Sequence, residues 1–460
     1  MTENLTQMQR IESVKASSDA RARSPRHTMN VAIYGLWHLG CVTAACLASA
    51  GHDVVALDPD ESVVDNLRRG RAPLFEPGLD DLIAEGLARG HLSFTSSAAR
   101  ALANARVLWV TFDTPVDERD EANVAVVRQH LDSVADQISP GTLVLISSQV
   151  PVGFTRALAQ DWSHRQLQFA YSPENLRLGR AIEAFREPSR IVVGLRDQES
   201  KSVAADLLQT FSPRIEWMSV ESAEMTKHAL NAFLATSVAF INEVARLSEA
   251  VGADAKEVER GLKSEPRIGP GSYLTPGAAF AGGTLARDLR FLEGFGRQHG
   301  LDTPLLTGVL SSNELHKRWL FDAIERMLHG AAAPVAAVLG LTYKPGTNTL
   351  RRSTAVELCR WLHDRGVRVQ AHDPAIASLP PELSGMIVLR PTASKALAGA
   401  DVAIVSTEWP EFRSLTADDF VSTMQRPRII DQNRFLSRSI YEDRRVQCIS
   451  VGAASGGDVI

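Results

Sequence analysis

The stretch Gly35-Leu36-Trp37-His38-Leu39-Gly40 constrains the fold more than any other part of this chain. It follows an apolar strand, Val31-Ala32-Ile33-Tyr34, and leads into an Ala-rich helix from about Cys41 to Ala50. A second strand runs from Asp53 to Leu57 and ends on Asp58. Strand, tight Gly turn, helix, strand and acid form the first unit of a dinucleotide-binding domain, with the acid spaced for an adenosine ribose. One position departs from the pattern. Trp37 stands where Gly normally lets the backbone approach a pyrophosphate. An ordinary βαβ turn without cofactor is the alternative on this stretch alone. Asp58, followed by Pro59 and Asp60, would repel a 2′-phosphate and so favours NAD over NADP, although Arg68 and Arg69 downstream pull the other way.

The alternation continues through Leu92 to Phe94, Val107 to Phe112, Leu143 to Ser147, Phe169 to Tyr171 and Ile191 to Val193. Near-continuous apolar strands separated by amphipathic helices predict a parallel sheet covered on both faces. From Ser222 to about Gly252 the pattern becomes one long helix, with more helices at Ala255 to Leu262, Ala286 to Gln298 and Pro304 to Leu328. Strands return at Val335 to Leu339, Val367 to Ala371, Val402 to Val405 and Ile429 to Ile430. The expected fold is α/β: two doubly wound Rossmann-like domains joined by a central all-helical domain with one long helix. The divisions are 1–28, a disordered leader; 29–213 and 329–450, the two α/β domains; 214–328, the helices; and 451–460, a flexible tail. Met29 lies directly before the first strand and is an alternative start.

Composition excludes several classes. A net charge of −5 gives no electrostatic reason to expect nucleic acid or an anionic membrane as partner. No apolar run approaches the roughly 20 residues that cross a bilayer, and the leader lacks the apolar core of a signal peptide. Four cysteines without short paired spacing argue against a disulfide framework and against a zinc site, so no metal is expected. Cys41, Cys46, Cys359 and Cys448 read as small apolar residues in a reducing, cytoplasmic setting.

Lys227 and Asn231 are four residues apart, hence on one helix face. Leu230, Phe233, Leu234 and Val238 make that helix apolar over much of its circumference, and a Lys drawn into such a surface can polarise an alkoxide or aldehyde oxygen. A solvated charge is the alternative. Gly340 to Thr347, followed by Arg351-Arg352-Ser353 and a helix, reads either as a phosphate cradle or as a solvated surface connection.

Segments from about Met29 to Phe435 resemble the UDP-glucose/GDP-mannose dehydrogenase family. Phe75-Glu76-Pro77-Gly78-Leu79 is similar to its E-P-G-L turn, Asp113-Thr114-Pro115 to its T-P, and Ser148-Gln149-Val150-Pro151-Val152-Gly153 to S-T-V-P-x-G. Ser172 to Gly179 resembles P-E-F-L-x-E-G. Glu224-Met225-Thr226-Lys227, Asn231 to Ala235 and Asn242-Glu243 follow the central helix. Arg267-Ile268-Gly269 resembles R-I-G, Pro276 to Asp288 resembles P-G-x-G-F-G-G-S-C-F-P-K-D, and Lys344 to Arg351 resembles K-P-x-T-D-D-x-R.

The resemblance implies NAD-dependent oxidation of the C6 alcohol of a UDP- or GDP-hexose toward a carboxylate, for polysaccharide or glycan precursors. It implies a homodimer around the central helix. Lys227 and Asn231 would polarise the reacting oxygen, Glu174 would act as general base or orient water, and Asp288 would orient that water or the Lys. Gly35, Leu39, Gly40, Asp58, Thr114, Gln149 and Arg351 would bind the cofactor. Leu176, Tyr273, Gly277, Gly282 and Lys344 would bind the sugar nucleotide, with Arg267 reaching the neighbouring subunit's site.

Several positions depart from the family pattern. Thr284 stands where the family has its catalytic Cys, and a Thr hydroxyl is far less acidic than a thiol. Gln149 replaces a Thr, Arg287 a Lys, Asn348-Thr349 a D-D pair and Leu178 a Glu. Three outcomes follow: an aldehyde product after one hydride transfer, direct oxidation of the hydrated aldehyde, or nucleotide-sugar binding without turnover. A Rossmann dehydrogenase acting on a non-nucleotide substrate is a further alternative.

Overall fold

Residues 28–115, 122–174, 176–281 and 284–453 are described by the computed structural model. The leader at 1–27, Gly282 and residues 454–460 lie outside them. The first sheet contains β1 (Asn30–Tyr34), β2 (Asp53–Leu57), β3 (Leu92–Thr95), β4 (Val107–Val110), β5 (Leu143–Ile146), β6 (Gln168–Tyr171), β7 (Ile191–Leu195) and β8 (Ile215–Ser219). Their order is β3-β2-β1-β4-β5-β6-β7-β8. The strand order reverses at β1 and β4, where a doubly wound sheet opens its ligand crevice beyond the strand carboxyl ends.

The alternation predicts a parallel sheet, but this sheet is not parallel throughout. β7 runs antiparallel to β6 and parallel to β8. The β6–β7 connection carries only a short helix, Ala181–Arg186, and returns from the edge it left. It therefore keeps Glu174 and Leu176 at the carboxyl end of the sheet. β8 escapes the sequence pattern because it is only half-buried and mixes Glu216 with Trp217.

Helix α1 (His38–Ser49) is buried continuously from Gly40 to Ala48, so its mainly small residues pack closely among their neighbours on all sides. α2 (Phe154–Asp161) follows the Ser148–Gly153 loop, and α3 (Val220–Val251) is the long helix. α4 (Ala255–Ser264), α5 (Thr284–Gln298) and α6 (Pro304–Leu328) complete the helical middle. Ala232, Ala235 and Ala239 on α3 form one core with Phe280, Leu289 on α5 and Val309 on α6.

The second sheet is parallel, in the order β11-β10-β9-β12-β13-β14. Its strands are β9 (Val335–Leu339), β10 (Arg368–His372), β11 (Ile387–Leu389), β12 (Val402–Val405), β13 (Arg428–Ile430) and β14 (Gln447–Ile449). The edge strands β11 and β14 are too short to carry a periodic signal and are absent from the sequence expectation. α7 (Thr354–Asp364) follows the Gly340 loop.

Two compact units emerge. One comprises 1–73, 78–113 and 127–224, and the other 74–77, 114–126 and 225–460. Part of the segment expected as a flexible tail is ordered. Val451 is buried, the Gly452 amide donates to Glu249 Oε1 at 2.7 Å, and its carbonyl accepts from Ala255 N at 2.9 Å. Gly452 has φ +67°, and a Cβ there would sit 2.3 Å from that of Ala255, so only glycine lets the chain lie against α4.

Candidate active site

In the first unit the Gly turn has the geometry a dinucleotide needs. The Gly35 amide donates to Leu57 O at 3.0 Å, and the Leu36 amide donates to Asp58 Oδ2 at 2.7 Å. Asp58 Oδ1 accepts from Asp60 N at 3.0 Å, so the carboxylate is held at the end of β2. Gly35 has φ +103°, and a Cβ there would sit 2.8 Å from Phe112. A Cβ on Gly40 would sit 1.9 Å from Gly35 O, which is why helix and turn approach so closely. No side chain caps α1, so the N-terminal turn keeps its capacity for an anion. Trp37 adopts φ −87°, a conformation any residue accepts, and its side chain is 41 % exposed. The turn therefore accommodates Trp37 without backbone strain, and the residues present fit NAD.

Leu39, Glu174 and Leu176, assigned by resemblance to cofactor, catalysis and substrate respectively, line one small cavity with Trp109 and Phe185. Glu174 is half-buried, and its Oε2 accepts from Leu176 N at 2.8 Å. Gln149 is buried in the loop before α2. That loop is fixed by Glu224, whose Oε2 accepts from Gly153 N at 2.6 Å and whose Oε1 accepts from Thr155 N at 3.0 Å and Thr155 Oγ1 at 2.6 Å. Burial pushes the Glu224 carboxyl up, while these three donors oppose the shift.

The second sheet repeats the turn but with its acid engaged differently. Gly340 N donates to His372 O at 2.8 Å, Leu341 N to Asp373 Oδ2 at 2.7 Å and Ala375 N to Asp373 Oδ1 at 2.9 Å, matching Gly35, Leu36 and Asp60. Asp373 is buried and also accepts from Thr342 N and Oγ1 and from Trp409 Nε1. Ser353 caps α7. The Leu341 amide is thus committed to its acid as that of Leu36 is, and in this turn the Thr342 amide is committed to it as well. Arg351 and Arg352 instead line a cavity of about 670 Å³ with Ala278 to Ala281 and Asn433.

The second unit brings together the residues expected to do chemistry. Lys227 is 6 % exposed, and Asn231 lies one turn further along α3, also buried. The alternative of a solvated Lys is excluded. Asp288, on α5, is 0 % exposed; its Oδ2 accepts from Asn231 Nδ2, and its Oδ1 meets His228 Nδ1 at 2.9 Å. A carboxylate at that depth needs such partners, because an uncompensated charge is costly to bury. Asp288 is therefore shielded from solvent, with each of its oxygens engaged by a nitrogen. His228 went unnoticed in the sequence, where it is one more residue on an apolar helix.

The loop Pro276 to Ala281 is held by four side chains. Asn242 Oδ1 accepts from Gly277 N at 3.0 Å, Asn433 Oδ1 from Ala278 N at 2.7 Å and Asn313 Oδ1 from Phe280 N at 3.0 Å. His316 Nε2 donates to Gly277 O at 2.8 Å. A Cβ on Gly277 would fall 2.0 Å from Asn433 Oδ1, so this glycine is required for close approach. Asn313 and His316, three apart on α6, share a face and could have been noticed by spacing; Asn433 could not.

Burial is the main cause that pushes the His316 imidazole below its ordinary value, and Arg246 adds to it while the Gly277 carbonyl opposes. Its Nδ1 is buried without a partner among the described residues, so a second proton has nowhere to go. The unfolded chain therefore binds a proton that the folded chain refuses. The resulting stability is full above about pH 6.5 and is lost as pH falls toward the folded value, at no more than about 1.4 kcal/mol per pH unit. Thermal unfolding at pH 7.5 and 5.5 should show this loss in the wild type and less of it in His316→Gln. Equal losses in both would count against it.

The remaining expected residues differ in burial. Arg267 is 87 % exposed and pairs with Glu265 at 2.8 Å. Tyr273 is exposed, Thr284 is exposed at the first position of α5, Lys344 is half-buried and Thr114 is buried in the second unit. Among the described residues no cluster of three His, Cys, Asp or Glu could hold a metal, and no helix is long and apolar enough to cross a membrane.

Residues 29–212 match the NAD binding domain of the UDP-glucose/GDP-mannose dehydrogenase family, 221–315 its central domain and 337–438 its UDP binding domain. The chain is 32% identical over 436 residues to a UDP-glucose 6-dehydrogenase of Pseudomonas aeruginosa, covering 91% of this chain and 95% of that protein. It is 33% identical over 435 residues to one of Rhizobium meliloti, covering 91% and 97%. Among solved structures it is similar to a UDP-glucose dehydrogenase from Pyrobaculum islandicum, with a TM-score of 0.83, 30% identity and 94% and 99% of the two chains covered.

Proposed function

Because the chain belongs to the UDP-glucose/GDP-mannose dehydrogenase family, we propose that it is an NAD-dependent nucleotide-sugar 6-dehydrogenase, oxidising the C6 alcohol of a UDP- or GDP-hexose toward aldehyde or uronate. The observation that carries this reading is the buried cluster of Lys227, Asn231 and Asp288. Residues 29–213 would hold NAD, 214–328 the catalytic helices, and 329–450 the nucleotide. Bound NAD supplies the hydride acceptor. Gly35, Gly40 and the open start of α1 would take its pyrophosphate, and Asp58 its ribose. The Lys227 ammonium would stabilise negative charge developing on the C6 oxygen, a role that a buried cation performs best because water does not screen it.

Thr284 cannot supply a thiolate, so the second oxidation would proceed through the hydrated aldehyde, with half-buried Glu174 better suited than Asp288 to take a proton from water. The absent thiol also supports a second reading, a relative that binds nucleotide sugars without turnover. On α3, exposed Phe233, Phe240, Leu247 and Val251 recur at seven and four residues, forming one apolar stripe. A second copy of the chain would cover it, and Arg267 would then reach the neighbouring site.

Counting NADH formed per nucleotide sugar consumed tests the proposal. Two equivalents are expected for the hydrate route. One equivalent indicates an aldehyde product, and none, despite measurable binding across a panel of UDP- and GDP-hexoses, overturns the enzymatic reading.

A further inference from the structure

His228 is 1 % exposed, and its ring lies edge-on to Phe291 with centroids 4.9 Å apart. It directly follows Lys227 on α3, and Asn231 lies three residues beyond it. Both His228 and Asn231 point nitrogen at the two oxygens of Asp288. An ionised carboxylate only accepts hydrogen bonds, so each nitrogen must carry its hydrogen toward it. His228 is thereby held as the Nδ1–H form, and Asn231 is held with its NH2 toward Asp288 and its carbonyl oxygen turned away. The reverse amide orientation would set an oxygen lone pair against a buried carboxylate.

We propose that His228 is a positioning residue of the active centre: by donating to Asp288 it fixes that carboxylate, and through it the amide orientation of Asn231 beside Lys227. The inference rests on the dehydrogenase reading, in which Asn231 helps bind the reacting oxygen. Without the His228 donor, Oδ1 of Asp288 loses a partner in a place water does not reach. The carboxylate can then rotate, and the Asn231 carbonyl is no longer presented in one direction. The consequence falls on turnover rather than on sugar-nucleotide affinity, because Asp288 itself is fully buried.

Two measurements on the full-length protein test this. Imidazole 15N NMR of the wild type should show an Nδ1–H tautomer for His228, assigned among the 12 histidines by the signal lost in His228→Asn. An Nε2–H tautomer overturns the proposal. In steady-state assays with NAD and the preferred sugar nucleotide, His228→Phe should lower kcat by about tenfold or more with KM within about threefold. His228→Asn, whose amide can occupy the Nδ1 position, should restore most of kcat. A His228→Phe enzyme with wild-type kcat also overturns it. Should His228→Phe fail to fold, His228→Asn must outperform His228→Gln, whose amide lies too far out; the opposite order refutes the assignment. A wild type that makes no NADH from any nucleotide hexose refutes the dehydrogenase reading instead, and the tautomer alone then decides the placement of His228.

Discussion

Lys227→Ala is expected to lower kcat by at least about 10³-fold while nucleotide-sugar affinity stays within about tenfold, or ~1.4 kcal/mol. The reasoning is electrostatic. Lys227 is buried on α3, one turn from Asn231, whose amide donates to the buried carboxylate of Asp288. A cation placed so is worth most where charge develops during reaction and little where the substrate is merely held. Lys227→Met separates charge from volume, since it keeps the apolar stem without the ammonium and should be as inactive as alanine. Single-turnover NADH absorbance together with equilibrium binding of the sugar nucleotide reads both quantities. Turnover within about threefold of wild type in Lys227→Ala would remove this residue from the chemistry.

The second large effect is on stability. Glu224 supplies from α3 the cap that α2 lacks, because Gly153 at its N-terminus has φ +93° and no side chain. Glu224→Ala leaves two buried donors of Thr155 and the half-buried Gly153 amide without an acceptor, each buried one worth about 1–3 kcal/mol. Part of that loss is offset because the carboxylate no longer has to be buried, the cost that raises its pKa. A net loss of about 3 kcal/mol in urea unfolding is expected. Glu224→Gln should fall between, since its Oε1 can still accept from Thr155 while its NH2 meets the Gly153 amide. A change below about 0.5 kcal/mol in the alanine variant would show that the cap contributes nothing.

Much of the fold was readable because period and punctuation agree. The apolar runs of β1, β2, β4 and β5, the long pattern of α3 and the turn at Gly35 each combine hydrophobic spacing with a Gly or an acid at the expected place. The misses have physical causes. β11 and β14 are three residues long, β8 is half-buried, and the reversal of β7 depends on which edge its connection returns from. Val451 to Ala453 read as tail because nothing local shows that Gly452 fits against Ala255.

The candidate site divides in the same way. Lys227 and Asn231 could be paired by helical spacing, and Asp58 by its place after β2. Their partners could not: Asp288 joins them from 57 residues away, and Asn433 reaches the Ala278 amide across 155. The paired turns at Gly35 and Gly340 make the limit plain. Both present an acid after the next strand, yet Asp373 is captured by Trp409, 36 residues on, whereas among the described residues Asp58 accepts from its own turn and the loop after β2.

By itself, the chain's order of residues determined where most strands and the long helices form, that the first turn requires Gly35 and that Lys227 and Asn231 share one helix face, because those follow from neighbours a few positions apart. Only the tertiary structure decided that both oxygens of Asp288 are engaged, that His228 belongs beside it and that the second acid is buried among its own donors. Those outcomes depend on which hydrogen-bond donors meet a buried carboxylate from distant segments, and sequence separation does not record that.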